Sequence, residues 1–284
     1  MTGSRAEKIL RPVGLEGVVT SRTYQMARDP KWLVDPRAVR SRDHILSLHN
    51  SEAGASGVIV GTGPSLRVTD LTAIGDRPSI GLNRLYQGFD ALDFRPTRMV
   101  CVNLMMLEQS AAEIAACGVP VFASWAARQH FEPAGDVPAS ITFLRTMDGV
   151  VFSKALADRV FTGSTVTYVA LQLAYWLGWT EVTLLGIDHT YHLEAHERGL
   201  GPHATATRQA ADQNHFLPSY FPAGQTWQLP DLETSEVAYG EARTAFEGDG
   251  RRVLDGTVGG ALDVFDKADW PRMAPAARPA SRPV

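Results

Sequence analysis

The chain is poor in cysteine, with only Cys101 and Cys117 among 284 residues. Neither lies at metal-ligand spacing, so a disulfide framework and a zinc ribbon are both excluded, and the pair reads as buried thiols of a cytoplasmic protein. No run of about 18 apolar residues occurs, so no transmembrane helix is expected. The N-terminus carries Arg and Lys but lacks the apolar stretch of a secretory signal. Peripheral membrane association stays open. Positive charge is not in excess: 27 Lys and Arg stand against 31 Asp and Glu, for a net charge of −4 and a pI near 6.1. That balance argues against a nucleic-acid backbone binder. There is no internal repeat and no clear linker. What remains, 44% apolar and 20% charged residues, suits one globular domain with a full core.

The most legible stretch is 162–191. It opens on Thr162-Gly163-Ser164-Thr165, a polar turn. Val166, Val169, Ala170, Leu173 and Leu177 then recur at spacings of three and four, which places them on one helical face. Ser164 or Thr165 can cap that helix, and its free amides make a seat for phosphate. Gly178 breaks the helix, Val182 to Leu185 reads as a strand, and Gly186-Ile187-Asp188-His189 follows at the strand end. Ligands of open α/β sheets bind at such ends. A buried helix and strand with an ordinary cap is the plainer alternative.

Upstream, Gly57-Val58-Ile59-Val60 runs into Gly61-Thr62-Gly63-Pro64-Ser65-Leu66, a strand, a glycine turn and a helix start. Glycines permit close approach to a phosphate, and Pro64 suits a first helical position. The third glycine of GxGxxG is missing, so a tight turn is the alternative. Strands are also expected at Ser79 to Arg84, Met99 to Asn103, Val119 to Ala123, Ile141 to Leu144 and Arg251 to Asp255. Asn83 and Asn103 fall at strand tips, where an amide can meet a base or sugar. Helices are expected at 107–117 and 235–246, the second capped by Ser235. Alternation of strands and helices gives an α/β, Rossmann-like fold: a mostly parallel sheet with helices on both faces.

Three segments fall outside that alternation. Residues 1–50 read as a locally basic N-terminal helical extension, with Lys8, Arg11, Arg37, Arg40 and Arg42. Residues 51–270 read as one Rossmann-like domain. Within it, 192–227 reads as an inserted lid loop, since 192–213 has no apolar periodicity. His192, Glu194 and His196 do not make HExxH, and no metal site is assigned. Residues 271–284 are rich in Pro, Ala and Arg and read as a disordered tail. His215, in Asn214-His215-Phe216 ahead of Tyr220-Phe221, is a general-base candidate because imidazole titrates near neutrality.

Taken in order, Gly61-Thr62-Gly63-Pro64-Ser65-Leu66, Gly81-Leu82-Asn83-Arg84, Thr162-Gly163-Ser164-Thr165, Leu185-Gly186-Ile187-Asp188 and Asn214-His215-Phe216 with Tyr220-Phe221 resemble one superfamily. It joins bacterial lipooligosaccharide-type sialyltransferases, flagellar motility accessory factors and hydroxymethylpterin diphosphokinase-like proteins. The segment 212–227 looks most like uncharacterised bacterial members linked to surface-glycan synthesis. The resemblance implies a glycosyltransferase using a nucleotide-sugar donor, CMP-linked in the sialyltransferase branch, with no required metal and an inverting His base. Carried over, Gly61, Thr62, Gly63, Pro64 and Ser65 would cradle the nucleotide. Asn83, Asn103 and Asn214 would lie at the donor, Ser164 and Thr165 near its phosphate or carboxylate, and Asp188 and His189 along its pocket. His215 would deprotonate a glycan or glycolipid acceptor, with Tyr191 and Tyr220 donating to the leaving phosphate. The chain departs from the sialyltransferases at Thr62, where they carry Asn, and at His189-Thr190, where they carry aromatic residues.

Two other readings remain. An ATP-dependent diphosphokinase would need magnesium held by Asp188 with Asp212 or Asp70. A non-catalytic nucleotide-binding protein of glycan assembly would need no base at all. Donor sugar, acceptor and oligomeric state are not legible in the sequence.

Overall fold

The computed structural model describes residues 29–131 and 137–273. The basic residues Lys8 and Arg11, and the tail beyond 273, lie outside the described residues. Eight parallel strands form one sheet, in the order β12-β11-β8-β1-β2-β3-β4-β5. They are β1 (Ser56–Val60), β2 (Ser79–Leu82), β3 (Arg98–Cys101), β4 (Val121–Ser124), β5 (Ile141–Leu144), β8 (Glu181–Leu185), β11 (Arg252–Asp255) and β12 (Asp266–Lys267). Between β5 and β8 a two-residue parallel pair forms, β6 (Thr146–Met147) with β7 (Val160–Phe161). Strand order reverses at β1. The chain winds outward through β2 to β5, then returns to lay β8 on the other side of β1.

Side chains alternate across this sheet as the two-residue period requires. Val58, Val60, Met99 and Cys101 point to one face, while Ile59, Val100, Phe122 and Leu184 point to the other. The first face is covered by helix α2 (Leu104–Ala115), by short 3-10 turns and by residues 216–229. The second is covered by α3 (Val166–Leu177) and α4 (Leu232–Gly248). Burial on both faces explains why the central strands read as unbroken apolar runs. Helix α3 is buried nearly all round, lying against β1, β2 and β3 with α4 packed beside it. Truncating Leu173 there to Ala would cost about 2–5 kcal/mol.

Helix α1 (Pro36–Ser47) packs against the edge strand β5, with Ala38 in the core of one face and Ile45 in that of the other. Ser41 Oγ accepts from the Phe143 amide at 3.0 Å, and His44 Nδ1 lies 2.7 Å from Thr142 Oγ1, so both tie α1 to β5. No helix among the described residues is long and apolar enough to cross a membrane. Cys101 is buried, and burial pushes its thiol up to about 12. Cys117 is also free but only half-buried, contrary to the expectation of two buried thiols.

Several boundaries differ from the sequence reading for local reasons. Helix α4 starts earlier than Ser235, because Asp231 caps it by accepting from the Thr234 amide at 3.0 Å. Ser235 Oγ instead donates to Asp231 O. Leu262 and Phe265 pack into the core just before β12. The segment 192–227 contains a small antiparallel pair, β9 (Thr205–Thr207) with β10 (Thr226–Gln228). Its centre is polar. Fully buried Glu197 accepts from Trp227 Nε1 at 2.7 Å and pairs with buried Arg208 at 3.3 Å. A polar core has no apolar period, so composition alone suggested a loop.

Candidate functional site

A cleft of about 560 Å³ opens at the carboxyl ends of β1 and β8, at the reversal of strand order. This is where doubly wound sheets place ligands. Among the expected site residues, Gly61, Thr62, Gly63, Asn83 and Asn103 line it from one side. Ser164, Thr165, Asp188, His189 and Tyr191 line it from the other, with Asn214 and His215 above. Pro64, Ser65 and Tyr220 are not part of its wall.

The glycine turn serves strand packing before it serves a ligand. The Gly61 amide donates to Leu185 O at 2.8 Å and the Gly63 amide to Gly186 O at 2.9 Å. A Cβ on Gly63 would overlap Asp188 Oδ2 and stand 2.8 Å from Gly186 O. The helix expected at Pro64 is a single 3-10 turn, Pro64–Arg67. Its anion seat is already filled: Asp188 accepts from the Ser65 amide at 3.0 Å and from Ser65 Oγ at 2.7 Å. Burial raises the Asp188 carboxyl above its ordinary value, against the pull of those two bonds. The expected phosphate cradle at 61–65 is therefore occupied by a carboxylate of the chain itself.

The asparagines separate clearly. Asn103 caps α2, accepting from the Met106 amide at 3.0 Å, and donates to Gln228 Oε1. Asn214 uses both arms on the backbone of His192, at 2.6 and 3.1 Å. Asn83 is left-handed, with φ 52°, and its Oδ1 is buried without a partner. It alone of the three has a side-chain oxygen left without a partner.

His215 is the most constrained imidazole. Its Nδ1 lies 2.7 Å from Asp212 Oδ2, and Tyr220 stacks on the ring at 3.9 Å and 9°. Arg67 fixes the backbone on both sides, donating to His215 O at 2.7 Å and Phe216 O at 2.9 Å. For Asp212, burial raises the carboxyl, but the bond and charge of His215 and the Asn214 amide together hold it below its ordinary value. An ionised carboxylate only accepts, so His215 Nδ1 carries a proton toward Asp212. Tyr220 does not stand where a leaving phosphate could reach it. It is fully buried, and its hydroxyl accepts from the Arg84 amide at 3.3 Å. Its part is to support the His215 ring. Tyr191, by contrast, is 39% exposed at the mouth, 6.2 Å from the Trp227 ring.

Two more imidazoles face the same cleft with carboxylate partners. His189 Nε2 lies 3.1 Å from Glu236 Oε1, and His203 Nε2 lies 3.3 Å from Asp231 Oδ2. His203 also meets Ser164 Oγ at 3.4 Å. Thr165 is the true cap of α3, accepting from the Thr167 amide. Among the described residues, no Lys or Arg side chain lines the cleft. Sequence reasoning missed His203, Glu236 and Asp231, and did not pair Asp212 with His215. For the last pair the three-residue spacing was a usable signal.

Metal ligation finds little support in the side chains. Glu194, His196 and Glu197 lie close enough to share an ion. However, Arg208 sits against both carboxylates, and Glu194 accepts from the amides of Gln209 and Ala210. Asp70 caps a 3-10 turn at Thr72, outside the cleft.

The class defined by fold and site is a Rossmann-like α/β domain with a switch-point cleft. No family model matches the chain, and no curated protein does. Among solved structures it is similar to a MAf glycosyltransferase from Magnetospirillum magneticum AMB-1, at 15% identity and a TM-score of 0.46. That likeness covers 81% of this chain and spans 38% of the other.

Proposed function

We propose that the chain is a glycosyltransferase that moves a sugar from a nucleotide donor, CMP-linked, to a glycan or glycolipid hydroxyl. The observation that carries this reading is the Asp212–His215 pair at the wall of the switch-point cleft. His215 Nε2 takes the proton of the acceptor hydroxyl as the new glycosidic bond forms. The bond from the anomeric carbon to the phosphate oxygen breaks, and the nucleotide leaves as its phosphate anion. Asp212 holds the ring and stabilises the imidazolium. Asn83, in the cleft wall, lies against the base or sugar. The amides at the Ser164–Thr165 end of α3 flank the phosphate with hydrogen-bond donors.

A donor with one phosphate linkage suits this lining better than a nucleoside diphosphate, since no Lys or Arg among the described residues stands in the wall. The diphosphokinase reading is weakened by its carboxylates. Asp188 is engaged with Ser65, Asp212 with His215, and Asp70 lies outside the cleft. The test is thermal denaturation with CMP, CDP, UDP, GDP and ATP, each with and without magnesium. A ligand at a hundred times its Kd adds about 2.7 kcal/mol of stability. Stabilisation by CMP without magnesium supports the reading. Stabilisation only by ATP with magnesium replaces it with diphosphate transfer.

A further inference from the structure

Arg84, directly after β2 and Asn83, is 2% exposed. Its guanidinium donates to Gln109 Oε1 at 2.9 Å, Tyr220 O at 3.2 Å and Gln225 Oε1 at 3.3 Å. It lies 5.1 Å from the centre of the Phe221 ring, and its Nε has no acceptor. Every one of these partners is neutral. The equally buried Arg208 shows the usual solution, with Glu197 and Glu194 beside it. Arginine keeps its charge at physiological pH, and burying an ion without a counter-charge is costly. The surroundings of Arg84 locate the missing charge. Asn83, Gln109 and Phe221 all line the cleft.

We infer that Arg84 is the anion selector of the cleft, and that its counter-charge is a phosphoryl group bound there. The residue sits behind the wall and acts through one layer of neutral side chains. This rests on the nucleotide-binding reading, and deepens it by naming the group that prefers nucleotide to nucleoside.

Gln225 does not line the cleft yet touches the guanidinium, so Gln225→Glu neutralises Arg84 in place. The variant is expected to melt at a higher temperature than the wild type. Its affinity for CMP should fall about tenfold, as expected when a charge one layer away is cancelled. Its affinity for cytidine should not change. Arg84→Lys, which keeps the charge but loses the fork, should retain most of the preference for CMP over cytidine. Unchanged CMP affinity in a stabilised Gln225→Glu protein overturns the proposal, as does an equal loss for CMP and cytidine in both variants. Inorganic phosphate separates this from the functional reading. If no nucleotide binds but phosphate stabilises the wild type and not Gln225→Glu, the selector stands and the donor assignment fails. If phosphate does not stabilise the wild type either, the selector fails as well.

Discussion

Gly63→Ala tests whether the glycine turn locks two strands together or awaits a ligand. Gly63 has φ −68°, which Ala adopts freely, so any cost comes from the new methyl alone. That methyl would overlap Asp188 Oδ2 and expel the carboxylate from Ser65. Two hydrogen bonds to a charged acceptor are lost, together about 3 kcal/mol for a partly buried site. Crowding against Gly186 O at 2.8 Å adds about 1–3 kcal/mol. Gly63→Ala should therefore cost about 4–6 kcal/mol, a large part of a typical domain's stability. Asp188→Ala alone should cost about 3 kcal/mol, because it removes the same two bonds. The double variant can lose them only once, so the cycle should show a coupling of about 2–3 kcal/mol. Urea unfolding of the four proteins measures it. Additivity to within about 0.5 kcal/mol, or a Gly63→Ala cost below about 1 kcal/mol, would refute the claim that Asp188 fills this seat.

Other consequences are open to shorter tests. His215→Ala should abolish sugar transfer while donor binding by calorimetry persists; full activity in that variant removes the proposed base. Asp212→Asn should lower kcat by about 10²–10⁴ with little change in donor KM, because the ring loses its hold and its tautomer; a KM effect alone would contradict the assigned role. Glu197→Gln should destabilise by about 3 kcal/mol in urea, since buried Arg208 loses its main counter-charge; a cost under 1 kcal/mol would mean the polar centre of 192–227 is dispensable. The bidentate bond from Arg37 holds Asp35 down at about 2, despite partial burial. Its folded value lies below the ordinary one, so its contribution is present above about pH 4 and is lost as pH falls towards 2. Asp35→Asn should flatten the acid limb of stability over that window, and an unchanged slope would rule the contribution out.

Legibility in the sequence followed what each signal measures. Strands β1, β5 and β8 stand where their apolar runs placed them, because a parallel strand covered on both faces must be apolar throughout. Helix α3 was equally plain, its stripe of Val169, Leu173 and Leu177 meeting the sheet it covers. Boundaries were less legible where polar residues carry the structure. Asp231 starts α4 before its apolar stripe begins. The 192–227 excursion holds together on Glu197, Arg208 and Trp227, a centre that hydropathy patterns cannot register.

The site shows the same division at finer scale. The sequence indicates which residues gather at the cleft, since strand ends and the reversal of winding follow from element order. It does not indicate what each side chain is already bound to, because those partners come from distant parts of the chain. Ser65 and Asp188 look like two halves of a phosphate seat until they are seen bonded to one another. Asn83, Asn103 and Asn214 are alike in sequence, yet only Asn83 is left with an empty acceptor. Tyr220 looks like a donor to a leaving group and is instead the surface on which His215 rests. A ligand can use only what the fold has not already used. On that criterion the groups left to the proposed chemistry are His215 with Asp212, Asn83, and the unneutralised charge of Arg84 behind them.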